Sequence, residues 1–244
     1  MRQPDKTSLR KRYFYKLLTN ITGAGISIVT QAIVPRCLGP KAYGDFNYLS
    51  SFFTQFSGFF DMGTSVCFYT RLSQRPNEKG LVDFYLFVTI AISCLTLILV
   101  VVAHATSSYS KLWPNQELIY IYYGAFGGIL TWNASILNQM ADAYGITVMS
   151  EIAKIVQRLL GLVALLLIAA FLLLDLQKYF YYTFASSLLL GGAFIFIIKE
   201  QGYYFNRKWM LTTKETADYM KEFYRYSSPF FASALVILVC RVLE

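Results

Sequence analysis

The stretch AIVPRCLGPKAYGDFNYLSSFF, Ala32–Phe53, sets Pro-Arg and then Leu-Gly-Pro-Lys between two long apolar runs. Gly39 suits the position just past a helix end, where a left-handed backbone costs glycine little, and Pro40 suits the first turn of a following helix. Arg36 falls in the last turn, where a cation offsets the negative end of the helix dipole. The stretch therefore reads as helix, very short turn, helix. What the hairpin is for depends on its surroundings.

Outward from it, apolar residues make up 56% of the 244 and charged residues 15%, with a mean hydropathy of +0.45. An ordinary soluble domain is more highly charged. A helix needs about 20 mostly apolar residues to cross roughly 30 Å of hydrocarbon. Six segments qualify, at about 17–38, 44–69, 82–104, 117–144, 147–174 and 178–198, and a seventh begins near Tyr219. Runs such as LFVTIAISCLTLILVVVA and LLGLVALLLIAAFLLL leave no water-facing side, which argues against a soluble helical protein. The chain reads as an all-α polytopic membrane protein, with a basic N-terminal segment at 1–16 and a transmembrane helical region over 17–244.

The net charge of +8 sorts by loop. Six Lys and Arg precede the first span, three lie between spans two and three (Arg71, Arg75, Lys79), and six lie between spans six and seven. The alternate loops hold only Arg36, Lys41, Lys111 and Lys178. This bias places the N-terminus and the loop at about 199–218 in the cytoplasm. It accounts for the basic charge with membrane lipids as partners and without nucleic acid. Met1–Lys16 is polar and does not read as a cleavable signal peptide.

Covalent chemistry finds no support. Cys37, Cys67, Cys94 and Cys240 are scattered and form no C-x-x-C pair, and His104 is the only histidine. Neither a Ser-His-Asp set, a P-loop nor a Gly-rich dinucleotide fingerprint is present, so the expectation is a non-enzyme without metal or cofactor.

The informative signal is which spans are polar, and on which face. At about 100° per residue, span two aligns Asn47, Ser51, Thr54, Gln55, Gly58, Asp61 and Ser65. Span one aligns Asn20, Gly23, Ser27, Thr30 and Gln31, and span four aligns Thr131, Ser135, Asn138, Gln139 and Asp142. Asn47, Gln55 and Asn138 are the candidates for a polar cavity lining. Interhelical packing is the reading for span one, for Gly124-x-x-x-Gly128 and for Gly191-Gly192, because small residues let helices approach.

Span five differs. Glu151, Lys154, Gln157, Arg158 and Gly161 share one side, and Arg158 lies roughly 16 Å along the helix from Thr147, near mid-membrane. An intramembrane charge costs at least about 2.5–3.5 kcal/mol unless it meets water or a partner. Glu151 is placed to pair with Lys154 at i+3, which leaves Arg158 unpaired within its own helix. The expectation is a cationic, water-filled cavity at Lys154 and Arg158. Asp61, Asp142 and Glu151 read as ion-coupling or gate groups, with Arg71 and Lys154 as partners for the aspartates, or as interfacial acids near helix ends.

A polar first span followed by PRCLGPKAYGDFNYLSSFFTQFSGFFDMG resembles the start of polysaccharide-biosynthesis flippases. That family has a first helix ending in Arg-x-Leu-Gly-Pro, then Tyr-Gly, then a second helix ending in a Gly-containing turn. Here these are Arg36, Leu38, Gly39, Pro40, Tyr43, Gly44 and Gly63. The start of span seven, YSSPFFASALV at Tyr226–Val236, is also similar. The resemblance places the chain in the superfamily of multidrug, oligosaccharidyl-lipid and polysaccharide exporters, and implies two helical lobes around a central cavity. The chain then corresponds to an N-terminal lobe of six complete spans and a truncated seventh.

The function implied by the resemblance is translocation of an undecaprenyl-pyrophosphate-linked oligosaccharide, such as an O-antigen unit of lipopolysaccharide, across the bacterial inner membrane. Polysaccharide polymerase and chain-length machinery are the implied protein partners. Two alternatives stay open: a cation-coupled multidrug or metabolite exporter of the same superfamily, against which the basic stripe of span five argues, and a non-transporting remnant or assembly component.

Overall fold

The turn at Gly39 forms as its residues dictate. Helix α1 (Leu9–Leu38) ends there, Gly39 has φ 82°, and α2 (Pro40–Asp61) begins with Pro40. The Gly39 amide donates to the Pro35 carbonyl at 3.0 Å and closes the last turn of α1. The computed structural model of the chain describes residues 9–171, 174–203 and 215–229. Its further helices are α3 (Thr64–Gln74), α4 (Lys79–Ala105), α5 (Tyr109–Leu112), α6 (Leu118–Ala143), α7 (Thr147–Phe171) and α8 (Leu176–Glu200). Residues 215–229 are also helical and are called α9 here. The described residues form an all-α fold without strands.

Six of these helices are long, and α1, α4, α7 and α8 are both long and apolar enough to cross a membrane. Helices α2 (22 residues) and α6 (26 residues) fall outside that set. For α6 the reason lies in its position, since it packs against α2, α3, α4, α7 and α8. A helix surrounded by other helices meets little lipid and can carry more polar residues. Outward faces are apolar in the expected way: on α7, Ile152, Val156, Leu159 and Val163 are all exposed.

Span two departs from the expectation of one continuous helix over 44–69. Met62 (φ 45°) and Gly63 (φ 79°) both take left-handed conformations and split it into α2 and α3. Asp61 stabilises the break. Its carboxylate accepts the Ser65 amide at 2.8 Å, the Thr64 hydroxyl at 2.8 Å, the Ser65 hydroxyl at 2.6 Å and the Tyr85 hydroxyl at 3.2 Å. Capping of this kind satisfies amides that a new helix start leaves without partners. Ser65 therefore belongs to the cap of α3 and not to the polar stripe of α2.

Glycine spacing on α6 gives close packing at one place. A Cβ at Gly124 would stand 2.9 Å from Leu49 Cβ, and one at Gly128 would stand 2.7 Å from Phe53 Cβ, so α2 and α6 meet through the missing side chains. Leu49 and Phe53 continue into an apolar cluster with Trp113, Ala125 and Phe180. The other glycine pair behaves differently from its reading as a packing device. Nothing lies within 4 Å of a Cβ at Gly192, and Gly191 meets only Leu137 at 3.8 Å.

At the end of the bundle that holds the α3–α4 turn, α9 docks by charge and aromatic contact. Glu222 pairs with Arg71 at 2.8 Å and with Arg75 at 3.4 Å, and the Tyr219 hydroxyl donates to Glu78 at 2.7 Å. Phe223 packs on Phe84 and Tyr85. The remainder of the seventh span lies outside the described residues.

Candidate functional site

Helix α7 carries the charge whose depth sets it apart, and the structure shows what meets it. Arg158 lines a cavity of about 390 Å³ whose wall is the polar face of α1, with Asn20, Ser27, Thr30 and Gln31, and with Tyr43 of α2 and Tyr179 of α8. Its Nη1 donates to the backbone carbonyl of Thr19 at 2.7 Å. One bond of this kind uses one of five guanidinium N–H groups, so the fork keeps donors for an anion in the cavity. The approach is possible because Gly23 lies beneath the guanidinium: a Cβ there would overlap Nη1 and stand 2.8 Å from Cζ.

Lys154 has a different place from Arg158. It donates to Glu151 at 2.6 Å, the i+3 partner expected from spacing, and Glu151 is itself buried. The residues lining the Arg158 cavity do not include Lys154, so the two cations expected in one site are divided between an ion pair and a cavity wall. The same α1–α7 seam holds Thr19, whose hydroxyl donates to the Tyr15 carbonyl at 2.9 Å and approaches the Glu151 carbonyl at 3.5 Å.

The remaining candidates are spread over the bundle. Asp142 pairs with Lys16 of α1 at 3.2 Å instead of with Arg71 or Lys154. Asp61 is the buried cap of α3, and Arg71 faces Glu222. Asn47 and Gln55 are exposed on α2, and the Asn47 amide donates to the Tyr43 carbonyl of its own helix at 3.0 Å. Asn138 is half-buried on α6, and its Oδ1 has no hydrogen-bond partner among the described residues. None of these three lines the Arg158 cavity.

Sequence reasoning assigned the polar stripe of span one, Asn20, Ser27, Thr30 and Gln31, to helix packing, whereas these residues line the cavity, and it also missed Tyr43, Tyr179 and Gly23. Tyr43 carried a signal, because it sits inside the Leu-Gly-Pro-x-x-Tyr-Gly stretch. Tyr179 was hidden in a run of aromatics that reads as an interfacial belt, and Gly23 in a stripe that reads as helix packing. A larger cavity of about 880 Å³ lies between α4, α6 and α8, with Leu86, Phe87, Leu137 and Leu188 among its walls and Gly191 and Gly192 on α8. It is mainly apolar, with Asp83 near the start of α4 and Lys199 near the end of α8.

A membrane-type bundle with a cationic, amide- and hydroxyl-lined cavity narrows the choice of family, and the family comparison decides it: the model described as polysaccharide biosynthesis protein matches residues 9–244. The chain belongs to that family. Its members are transporters and flippases rather than enzymes, and the protein is a polysaccharide-related membrane transporter. No curated protein and no solved structure matches the chain. Within the polysaccharide biosynthesis family, the residues matched include the whole of the α1–α2 hairpin, the Arg158 cavity and α9.

Proposed function

We propose that the protein translocates an undecaprenyl-pyrophosphate-linked oligosaccharide, an O-antigen unit or a similar surface-polysaccharide block, across the bacterial inner membrane. The observation that carries this reading is the Arg158 guanidinium, about 16 Å along α7, on the wall of a cavity built from the polar face of α1. A guanidinium presents a rigid fork that matches phosphate oxygens, and its attraction for them grows in a low-dielectric site. Asn20, Ser27, Thr30 and Gln31 offer the amides and hydroxyls that a sugar can hydrogen-bond. The lipid tail stays in the bilayer beside the bundle.

The exposed polar faces of α1 and α2 belong to this proposal. Asn20, Ser27 and Gln31 on one helix, and Asn47, Ser51, Thr54 and Gln55 on the other, are all open in the described chain. Hydrocarbon cannot satisfy them, so they face an aqueous path or a second helical lobe that completes its wall. The charge bias of the loops orients the N-terminus toward the cytoplasm.

The test is export of surface polysaccharide in a flippase-null strain that carries the intact protein. Arg158→Ala is expected to lower export about tenfold or more, the scale of a lost charge-assisted hydrogen bond, with membrane insertion unimpaired because an intramembrane charge is removed. Arg158→Lys is expected to keep part of the activity. In a cysteine-free background of the same protein, a Ser108→Cys version should be labelled by an impermeant thiol reagent in intact cells. Normal export by Arg158→Ala would remove the anion-anchoring role, and labelling at Asn77→Cys instead would invert the orientation.

A further inference from the structure

Three features meet on one turn of α1. The Thr19 carbonyl accepts from Arg158 Nη1 at 2.7 Å, Thr19 and Gly23 are four residues apart in one helix, and Gly23 has no side chain. In an α-helix the carbonyl of residue 19 already faces the amide of residue 23. The Thr22 hydroxyl also approaches this carbonyl at 3.2 Å, and a guanidinium from another helix reaches it where residue 23 carries no bulk. A Cβ at position 23 would overlap Nη1, stand 2.8 Å from Cζ and 3.4 Å from Nη2, so it would meet the whole fork and not one edge of it. Gly25, two residues on, has nothing within 4 Å of a Cβ. Glycine is the poorer helix former at both positions, so local propensity does not explain its use at 23.

We propose that Gly23 is a positioning residue for Arg158: the notch it leaves in α1 seats the guanidinium on the helix backbone and aims its free donors into the cavity, where the anionic group of the cargo is held. The inference rests on the reading of Arg158 as the anion anchor. Alanine at 23 lifts the fork from the Thr19 carbonyl and turns it out of the cavity without touching the cavity's other walls. Because the colliding atoms are the far end of a flexible side chain, the arginine swings away and the fold survives. The loss falls on cargo binding.

The experiment is a set of variants of the intact protein: Gly23→Ala, Gly25→Ala, Arg158→Ala, Arg158→Lys, and Gly23→Ala combined with each Arg158 variant. Export and thermal stability in detergent are both read. Gly23→Ala is expected to lower export about tenfold or more, since small misplacement of a positioned group is costly, while Gly25→Ala stays within about twofold of the parent. In the Arg158→Ala and Arg158→Lys backgrounds Gly23→Ala has little further effect, because neither side chain brings a planar fork to the notch. Positions 23 and 158 should also be coupled in melting temperature by about 2–4 °C, and positions 25 and 158 should not. Equal loss from Gly23→Ala with and without the arginine, or no coupling in melting, overturns the notch. Coupling in melting together with normal export by Arg158→Ala keeps the notch and overturns the anion-anchor reading on which its function depends.

Discussion

Two helix seams in this bundle are built on opposite principles. Where α2 meets α6, Leu49 and Phe53 lie against Gly124 and Gly128, and the contact of these side chains is close and apolar. Where α1 meets α7, Arg158 bonds the Thr19 carbonyl, Lys154 pairs with Glu151 beside it, and a cavity opens alongside. Lipid tails are as apolar as leucine, so helices in a bilayer associate through close packing or through polar bonds. The first seam uses packing, which water and ions cannot replace. The second uses bonds that water or an anion can exchange. A transporter needs both kinds, a fixed frame and a face able to take and release cargo.

The largest expected effect breaks the fixed seam. Gly128→Ala puts a carbon 2.7 Å from Phe53 Cβ and 3.4 Å from its backbone, atoms that cannot swing aside. It is expected to cost about 1–3 kcal/mol or more by overpacking, read as a fall of several degrees in melting temperature, and Gly128→Leu is expected to leave little folded protein. Gly23→Ala on the exchangeable seam should lose less, about the 2–4 °C of its coupling to Arg158. Equal losses at the two glycines would erase the distinction between the seams.

A smaller effect is expected at the break between α2 and α3. Asp61→Ala removes four hydrogen bonds to one carboxylate and should cost about 0.5–2 kcal/mol, the range for lost helix caps. Asp61→Asn, which still accepts from the Ser65 amide, should cost less and leave export near the parent level. Loss of export in Asp61→Asn without a change in melting would reassign Asp61 to ion coupling and extend the exchangeable region into α2.

The smallest effect lies at the α9 contact. Glu222→Gln breaks partly exposed pairs with Arg71 and Arg75, worth about 0.2–1 kcal/mol. Arg75 sits above its ordinary pKa because of the Glu222 charge first and the bond to Glu78 next, so it stays charged at every working pH. The difference in melting between parent and Glu222→Gln should therefore shrink at high salt through screening alone. A difference that persists in 1 M salt would point to packing of Phe223 as the true contact.

The sequence by itself determined the features that depend on neighbours along the chain. The helix end at Leu38, the turn at Gly39 and the start at Pro40 follow from glycine and proline backbone limits. The Glu151–Lys154 pair follows from i+3 spacing, and the mid-helix depth of Arg158 from counting residues. The split at Met62 was written in Asp-Met-Gly-Thr-Ser but was concealed by an unbroken polar stripe. Only the tertiary structure decided which helix faces which. Arg158 meets a carbonyl 139 residues away, Asp142 pairs with Lys16 across 126 residues, and Lys154 turns from the cavity that Arg158 lines. Gly124 and Gly128 became a seam while Gly191 and Gly192 came to line an open groove, although both pairs read as packing devices. The reason is geometric. Periodicity fixes the angle of a residue about its own helix axis, but the rotation and depth of that helix against another are set by packing over the whole bundle.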